Sequence, residues 1–279
     1  MSEAGKFGPK PNQADLPVFG IAYRAALLPF VQIEELARFA WIPLLGDLAV
    51  DLISWICAQN GMTMNQERVM TGIADLFVFA PLAVAWCRLA ILGPQSVSRR
   101  PPFNYGRVEL QYLVAAGLMK AGGFVIIGIP MIWGQEAMTI FFAEHNAGPI
   151  ALAGIVLIAA LFVAAILGIR IALLIPSVAV QRYAGIQVTW NQTRGYFERL
   201  LAAFVLAVVP FGFVHGLIMG LEKKIDSSFA TVIFEIVGSA WSIVLFAVQL
   251  TVLCFAYKIL VFDKPKADAP TSQPIAVAD

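Results

Sequence analysis

Charged residues are scarce in this sequence. Of 279 residues only 13% are Asp, Glu, Lys or Arg, about half the roughly 25% of soluble globular domains, so no soluble domain is expected anywhere in the chain. The net charge of +1 leaves no clustered basic face for a nucleic acid, which is excluded as a partner. Histidine is rarer still: His145 and His215 are too few for a His-rich zinc site. The three cysteines, Cys57, Cys87 and Cys254, each lie inside an apolar run and read as small core hydrophobes rather than disulfide partners or metal ligands. Neither a metal nor any other cofactor is expected. Missing as well are a clustered nucleophile and base and a phosphate-cradling Gly loop, so no enzyme is expected. The opening MSEAGKFGPKPNQAD has no apolar core followed by a cleavage site; residues 1–15 are expected to be retained and disordered. Residues 263–279, ending KPKADAPTSQPIAVAD, hold too little bulk to bury and are expected to be disordered too.

What the chain has instead is apolar length. Hydrophobic residues make up 59% of it and its mean hydropathy is +0.79, which marks an integral membrane protein. A helix needs about 20 apolar residues to cross a bilayer core of ~30 Å. Runs of that length extend from about Phe39 to Ala58, Val69 to Leu92, Leu110 to Trp133, Ile150 to Ile175, Leu200 to Leu221 and Phe229 to Phe262. Without inward and outward alternation they exclude a β-barrel. The expected fold is all-α: a polytopic domain over 16–262 with six transmembrane helices and interfacial amphipathic helices at 16–36 and 177–194. Lys and Arg concentrate in alternate connections, at Arg99, Arg100 and Arg107, at Arg182, Arg194 and Arg199, and around both termini. That bias places both termini in the cytoplasm.

Between the fourth and fifth runs lies TWNQTRGYF, polar and out of keeping with its neighbours. Val178, Tyr183, Ile186 and Trp190 follow a three-to-four spacing while Gln181, Arg182, Gln187 and Asn191 fall off that stripe, the pattern of a helix lying on a membrane surface. Gly195 suits the left-handed conformation that ends a helix, so the segment reads as an elbow turning the chain into its next span. Arg194 and Arg199 would meet phosphates of anionic lipids there. Thr189, Trp190, Thr193, Arg194 and Gly195, after a span ended by Pro176, resemble the pattern of bacterial inner-membrane proteins of the YciC-like type and of the membrane domain that precedes some glycerophosphodiester phosphodiesterases. In those families a Ser-Trp-x-x-Thr-x-Gly stretch leads into the fifth span, and Thr189 stands here for the usual Ser. The resemblance covers about a sixth of the chain and implies a polytopic inner-membrane protein with a cytoplasmic elbow helix. The phosphodiesterase of some relatives is absent, so its activity is not carried over.

Ionisable residues within spans cost about 2.5–3.5 kcal/mol each on insertion scales and face protein or a water cavity. At 1.5 Å per residue, Asp47, Asp51 and Lys120 share a depth near the bilayer midplane, and a Lys120 pair with Asp47 or Asp51 would offset the cost of both partners. Asp75, His215 and Glu235 share a shallower depth near the outer face, which permits helix-to-helix hydrogen bonds or a proton relay. Gly122, Gly123, Gly148, Gly154 and Gly168 make the third and fourth runs the candidates for the packed centre.

The expected function is that of a non-enzymatic integral protein of the bacterial inner (cytoplasmic) membrane. Its role would be envelope-associated, as an accessory or interaction protein partnered by membrane lipids and by other envelope proteins. The alternative is a small transporter or channel that uses Asp47, Asp51 and Lys120. A transporter needs a polar, water-accessible route from these residues to one face; an accessory protein would seal them among apolar side chains.

Overall fold

A computed structural model describes residues 17–59, 64–97, 105–123, 126, 147–182, 185–222 and 228–263. The expectations for the two termini therefore lie outside the described residues, apart from Asp263. The chain is all-helical, with no strand among the described residues. Its helices are α1 (Val18–Val31), α2 (Ile33–Gln59), α3 (Met64–Leu92), α4 (Arg107–Gly123), α5 (Ala147–Ala172), α6 (Leu174–Ala179), α7 (Gly185–Thr193), α8 (Phe197–Glu222) and α9 (Ser228–Tyr257), the last extended by a π turn over Lys258–Phe262.

Among the described residues four helical stretches are long and apolar enough to cross a membrane: Met70–Leu92, Gly154–Ala179, Phe197–Leu221 and Ala230–Phe262. They coincide with the second, fourth, fifth and sixth apolar runs. The first and third runs do not join them, for different reasons. Over the first, α2 is long enough and carries Asp47 and Asp51, but the side chains of Asp51, Trp55 and Ala58 lie outside those described. Over the third, the described part of α4 has only 17 residues, roughly 25 Å at the helical rise.

The segments expected to be interfacial helices are each broken in two. Over 16–36, α1 ends at Val31 and α2 starts at Ile33. Helix α1 is no isolated surface helix: Ile21, Ala22, Ala25 and Pro29 are buried, and Phe30 stacks on Phe211 of α8. Phe211 in turn stacks on Trp241 of α9, whose indole N–H donates to the Phe211 carbonyl at 2.9 Å. Over 177–194, α6 closes at Ala179 and α7 opens at Gly185.

The core is densest along Ala80–Ile91 of α3, Leu173–Ala179 around α6 and Ile243–Leu260 at the end of α9, and it is joined by Ile21 and Ala25 of α1, Leu36 and Phe39 of α2, Val108 and Tyr112 of α4 and Leu200 and Ala203 of α8. Trp86 fixes α3 to α9 because its indole N–H, buried without water, must find acceptors; it donates to the Ala247 carbonyl at 3.0 Å and to Thr251 Oγ1 at 2.8 Å. Arg88 Nε donates to the Ala179 carbonyl at 2.7 Å, tying α3 to α6. Tyr257 donates to the Arg182 carbonyl at 2.8 Å while the Arg182 guanidinium stacks on Phe262. Cys87 and Cys254 meet in this core as free, buried thiols. The expectation that the third and fourth runs form the packed centre is not met at Gly122, Gly154 and Gly168, while the surroundings of Gly123 and Gly148 lie outside those described. A Cβ on Gly122, Gly154 or Gly168 would meet nothing within 4 Å. Small residues permit close approach of helices without compelling it. Close approach occurs at Gly46 instead, where a Cβ would lie 2.5 Å from Val78 Cγ1 and α2 packs against α3.

Candidate functional site

Where α2, α3, α4 and α9 come together they leave an open cavity of about 430 Å³. Its polar lining is Asp47 from α2, Asp75 from α3, Tyr112 and Lys120 from α4, and Ser242 and Gln249 from α9. Helical periodicity supplies these groups: Tyr112 and Lys120 stand eight residues apart and Ser242 and Gln249 seven apart, each pair separated by about two turns on one face. Phe79 and Phe246 complete the wall in an edge-to-face contact with centroids 5.1 Å apart. At the start of α4, Glu109 is buried and accepts from the Gly106 backbone N–H at 2.9 Å, the returning half of a capping box that fixes where the helix begins. Tyr105 donates to the Phe77 carbonyl on α3; burial raises its phenol above the ordinary value, so it keeps the proton it donates.

Lys120 and Asp47 line the same cavity as Asp75. Lys120 is exposed rather than sealed, and its Nζ donates to the Gly72 carbonyl at 3.0 Å. Among the described residues the expected ion pair with Asp47 is not formed; the hydrogen bond of the ammonium goes to the neighbouring helix instead. Asp51 lies on α2, with its side chain outside those described. The cavity thus brings together two carboxylates and one ammonium.

The shallower trio separates. Asp75 belongs to the cavity with Asp47 and Lys120, and neither His215 nor Glu235 lines it. His215 Nδ1 on α8 is buried with no hydrogen-bond partner among the described residues, and Glu235 is half-buried on α9. Tyr112, Ser242 and Gln249 were not singled out by sequence reasoning. Their signal, polar side chains recurring on one face of an apolar helix, was present but uncharged.

The elbow is built differently from its sequence pattern. Thr189 and Thr193, one turn apart, form the buried face of α7. Thr193 Oγ1 donates to the carbonyls of Thr189 and Trp190 at 3.0 and 3.1 Å, which satisfies a hydroxyl that has left water. Trp190 is half-buried beneath the guanidinium of Arg170, a residue sequence reasoning did not connect to the elbow. Arg194 is exposed. Gly195 adopts φ +87°, and the chain turns there, with the Tyr196 N–H donating to the Thr193 carbonyl at 3.0 Å before α8 begins.

No known family, curated protein or solved structure matches this chain.

Proposed function

We propose that this protein is a small membrane transporter of the bacterial inner membrane that admits protons or a small cation to the cavity among α2, α3, α4 and α9. One observation carries the reading: Asp47, Asp75 and Lys120 line a common cavity in which Lys120 is exposed, where an accessory protein would seal such groups. Intramembrane carboxylates that face a polar cavity recur on ion and proton pathways. The same cavity supports six crossings in place of four, since α2 can carry Asp47 through a bilayer with that carboxylate turned to water and protein instead of lipid. The Lys and Arg bias supports cytoplasmic termini.

The experiment is proton flux into proteoliposomes loaded with a pH-sensitive dye, under an imposed pH gradient. The full chain should acidify the lumen faster than empty liposomes do, and Asp75→Asn should return the rate to that of empty liposomes. Wild-type flux equal to empty liposomes, for protons and for an added sodium or potassium gradient, would reject transport and restore the accessory role.

The elbow supports a companion role in lipid contact. The Arg194 guanidinium is exposed and makes no hydrogen bond or ion pair among the described residues, as expected of a guanidinium that meets anionic lipid.

A further inference from the structure

A second and larger opening lies on the other side of α4. Helices α4 and α5 stand apart and leave a groove of about 1010 Å³, floored by Leu174 and Val178 at α6. Its walls are apolar: Val114, Leu118 and Gly122 on one side, Ala164, Gly168 and Ile171 on the other. Leu118 is 70% exposed and Val114 64%, so the groove opens sideways, where a membrane would be. From Leu110 to Gly122 it follows α4 for roughly 18 Å, more than the roughly 15 Å of one leaflet's hydrocarbon. Water gains nothing in such a space, whereas an acyl chain fills it without losing a hydrogen bond.

One end of the groove differs from the rest. Gln111 and Gln181 line it there, and Arg107 lies one turn before Gln111 on the same face of α4. The Arg107 side chain is exposed and has no hydrogen bond or ion pair among the described residues. It stands in the first turn of α4, where the helix dipole adds positive potential. The mouth is thus cationic and amide-rich while the remaining length is hydrocarbon. Arg107 and Gln181 both adjoin the connections that hold the Lys and Arg excess.

Independent support comes from the backbone. Gln181 has φ +57° and is the only non-glycine residue with positive φ among the described residues. It closes α6 in a Schellman turn, in which the Gln181 N–H donates to the Val178 carbonyl and the Arg182 N–H to the Ser177 carbonyl, both at 3.0 Å. Glycine fills that position without strain. Here the strain is accepted and a carboxamide side chain is set at the groove mouth, and strained residues cluster at ligand clamps.

We propose that the groove seats one glycerophospholipid with an anionic headgroup, its acyl chain between α4 and α5 and its phosphate at Arg107, Gln111 and Gln181. Anionic lipid competes poorly elsewhere on α5, whose exposed side chains such as Ile155, Ile158 and Phe162 are apolar. The site is separate from the polar cavity and does not depend on the transport reading.

Native mass spectrometry of the full chain tests the proposal, with phosphatidylglycerol and phosphatidylcholine offered in equal amounts in detergent. The wild type should retain one phosphatidylglycerol in preference to phosphatidylcholine, and Arg107→Gln should reduce that preference about fivefold, the effect of one cationic contact near a lipid surface. Gly168→Phe should abolish the adduct while the protein stays folded, because the new side chain starts in open space. Gln181→Gly should raise thermal stability and lower retention, and Arg194→Ala, at the elbow, should leave this adduct in place. Equal retention of the two lipids by the wild type would overturn the proposal. So would an undiminished adduct in Gly168→Phe, or a dimer in the spectrum that Gly168→Phe dissociates. Should Gly168→Phe fail to fold, unchanged preference in Arg107→Gln together with unchanged retention in Gln181→Gly is the overturning result.

Discussion

The guanidinium of Arg170 on α5 lies over the indole ring of Trp190 on α7, 4.4 Å from its centroid. Arg170 Nε is buried and has no hydrogen-bond partner among the described residues, so the ring face is the main attraction that offsets its desolvation. Helix α5 buries little else: most of its described side chains are exposed or half-exposed within the protein. The contact therefore fixes how the elbow sits against α5.

Trp190→Leu should destabilise the protein by about 1–2 kcal/mol, since a desolvated cation–π contact of that order is lost. Trp190→Phe should recover part of the loss, because a weaker ring still faces the cation. Thermal unfolding in detergent measures both. Equal melting temperatures for Trp190→Leu and wild type would remove the contact from any account of stability.

At Gly195 the expected cost is purely one of backbone. A Cβ there meets nothing within 4 Å, yet φ is +87°. Gly195→Ala should cost about 1–2 kcal/mol, Gly195→Val more, and Gly195→Asn less, since Asn tolerates the left-handed region. Chemical or thermal denaturation of the three variants should follow that order; a neutral Gly195→Val would reject the turn.

Two helix glycines should respond in opposite directions to the same change. Gly46→Ala places a methyl 2.5 Å from Val78 Cγ1 and should cost about 1–3 kcal/mol by overpacking the α2–α3 contact. Gly122→Ala enters open space and should be neutral or stabilising by up to about 1 kcal/mol, as the unfolded chain loses freedom. Parallel melting curves decide, and destabilisation by both would show that the groove beside Gly122 is closed.

Topology is open to reporter fusions. Fusions after Arg100 and after Asp263 should report cytoplasm and one after Glu144 periplasm, as the Lys and Arg bias requires. An inverted result at any of the three would reverse or break the proposed orientation, and with it the leaflet to which Arg107 belongs.

Much of this molecule was legible in one dimension. Composition required helices and a membrane-compatible surface, because a chain with so few charges has too little polar area for water. Among the described residues four of the six apolar runs emerge as helices long enough to cross a membrane. The left-handed turn at Gly195 followed from a glycine at the end of a polar helix, a local property that needs no neighbours.

Tertiary structure decided which residues meet. Counting 1.5 Å per residue gives a side chain's height along its helix, and height alone grouped Asp75 with His215 and Glu235, apart from Asp47 and Lys120. The cavity groups Asp75 with Asp47 and Lys120 instead, because contact also depends on the direction in which each helix turns its face and on which helix stands opposite. The same missing coordinate set Gly122 and Gly168 beside an open groove, buried Thr189 and Thr193, and brought Arg170 over Trp190. Rotation about the helix axis and choice of neighbour are fixed by side-chain packing between segments distant in sequence, and no local spacing encodes them.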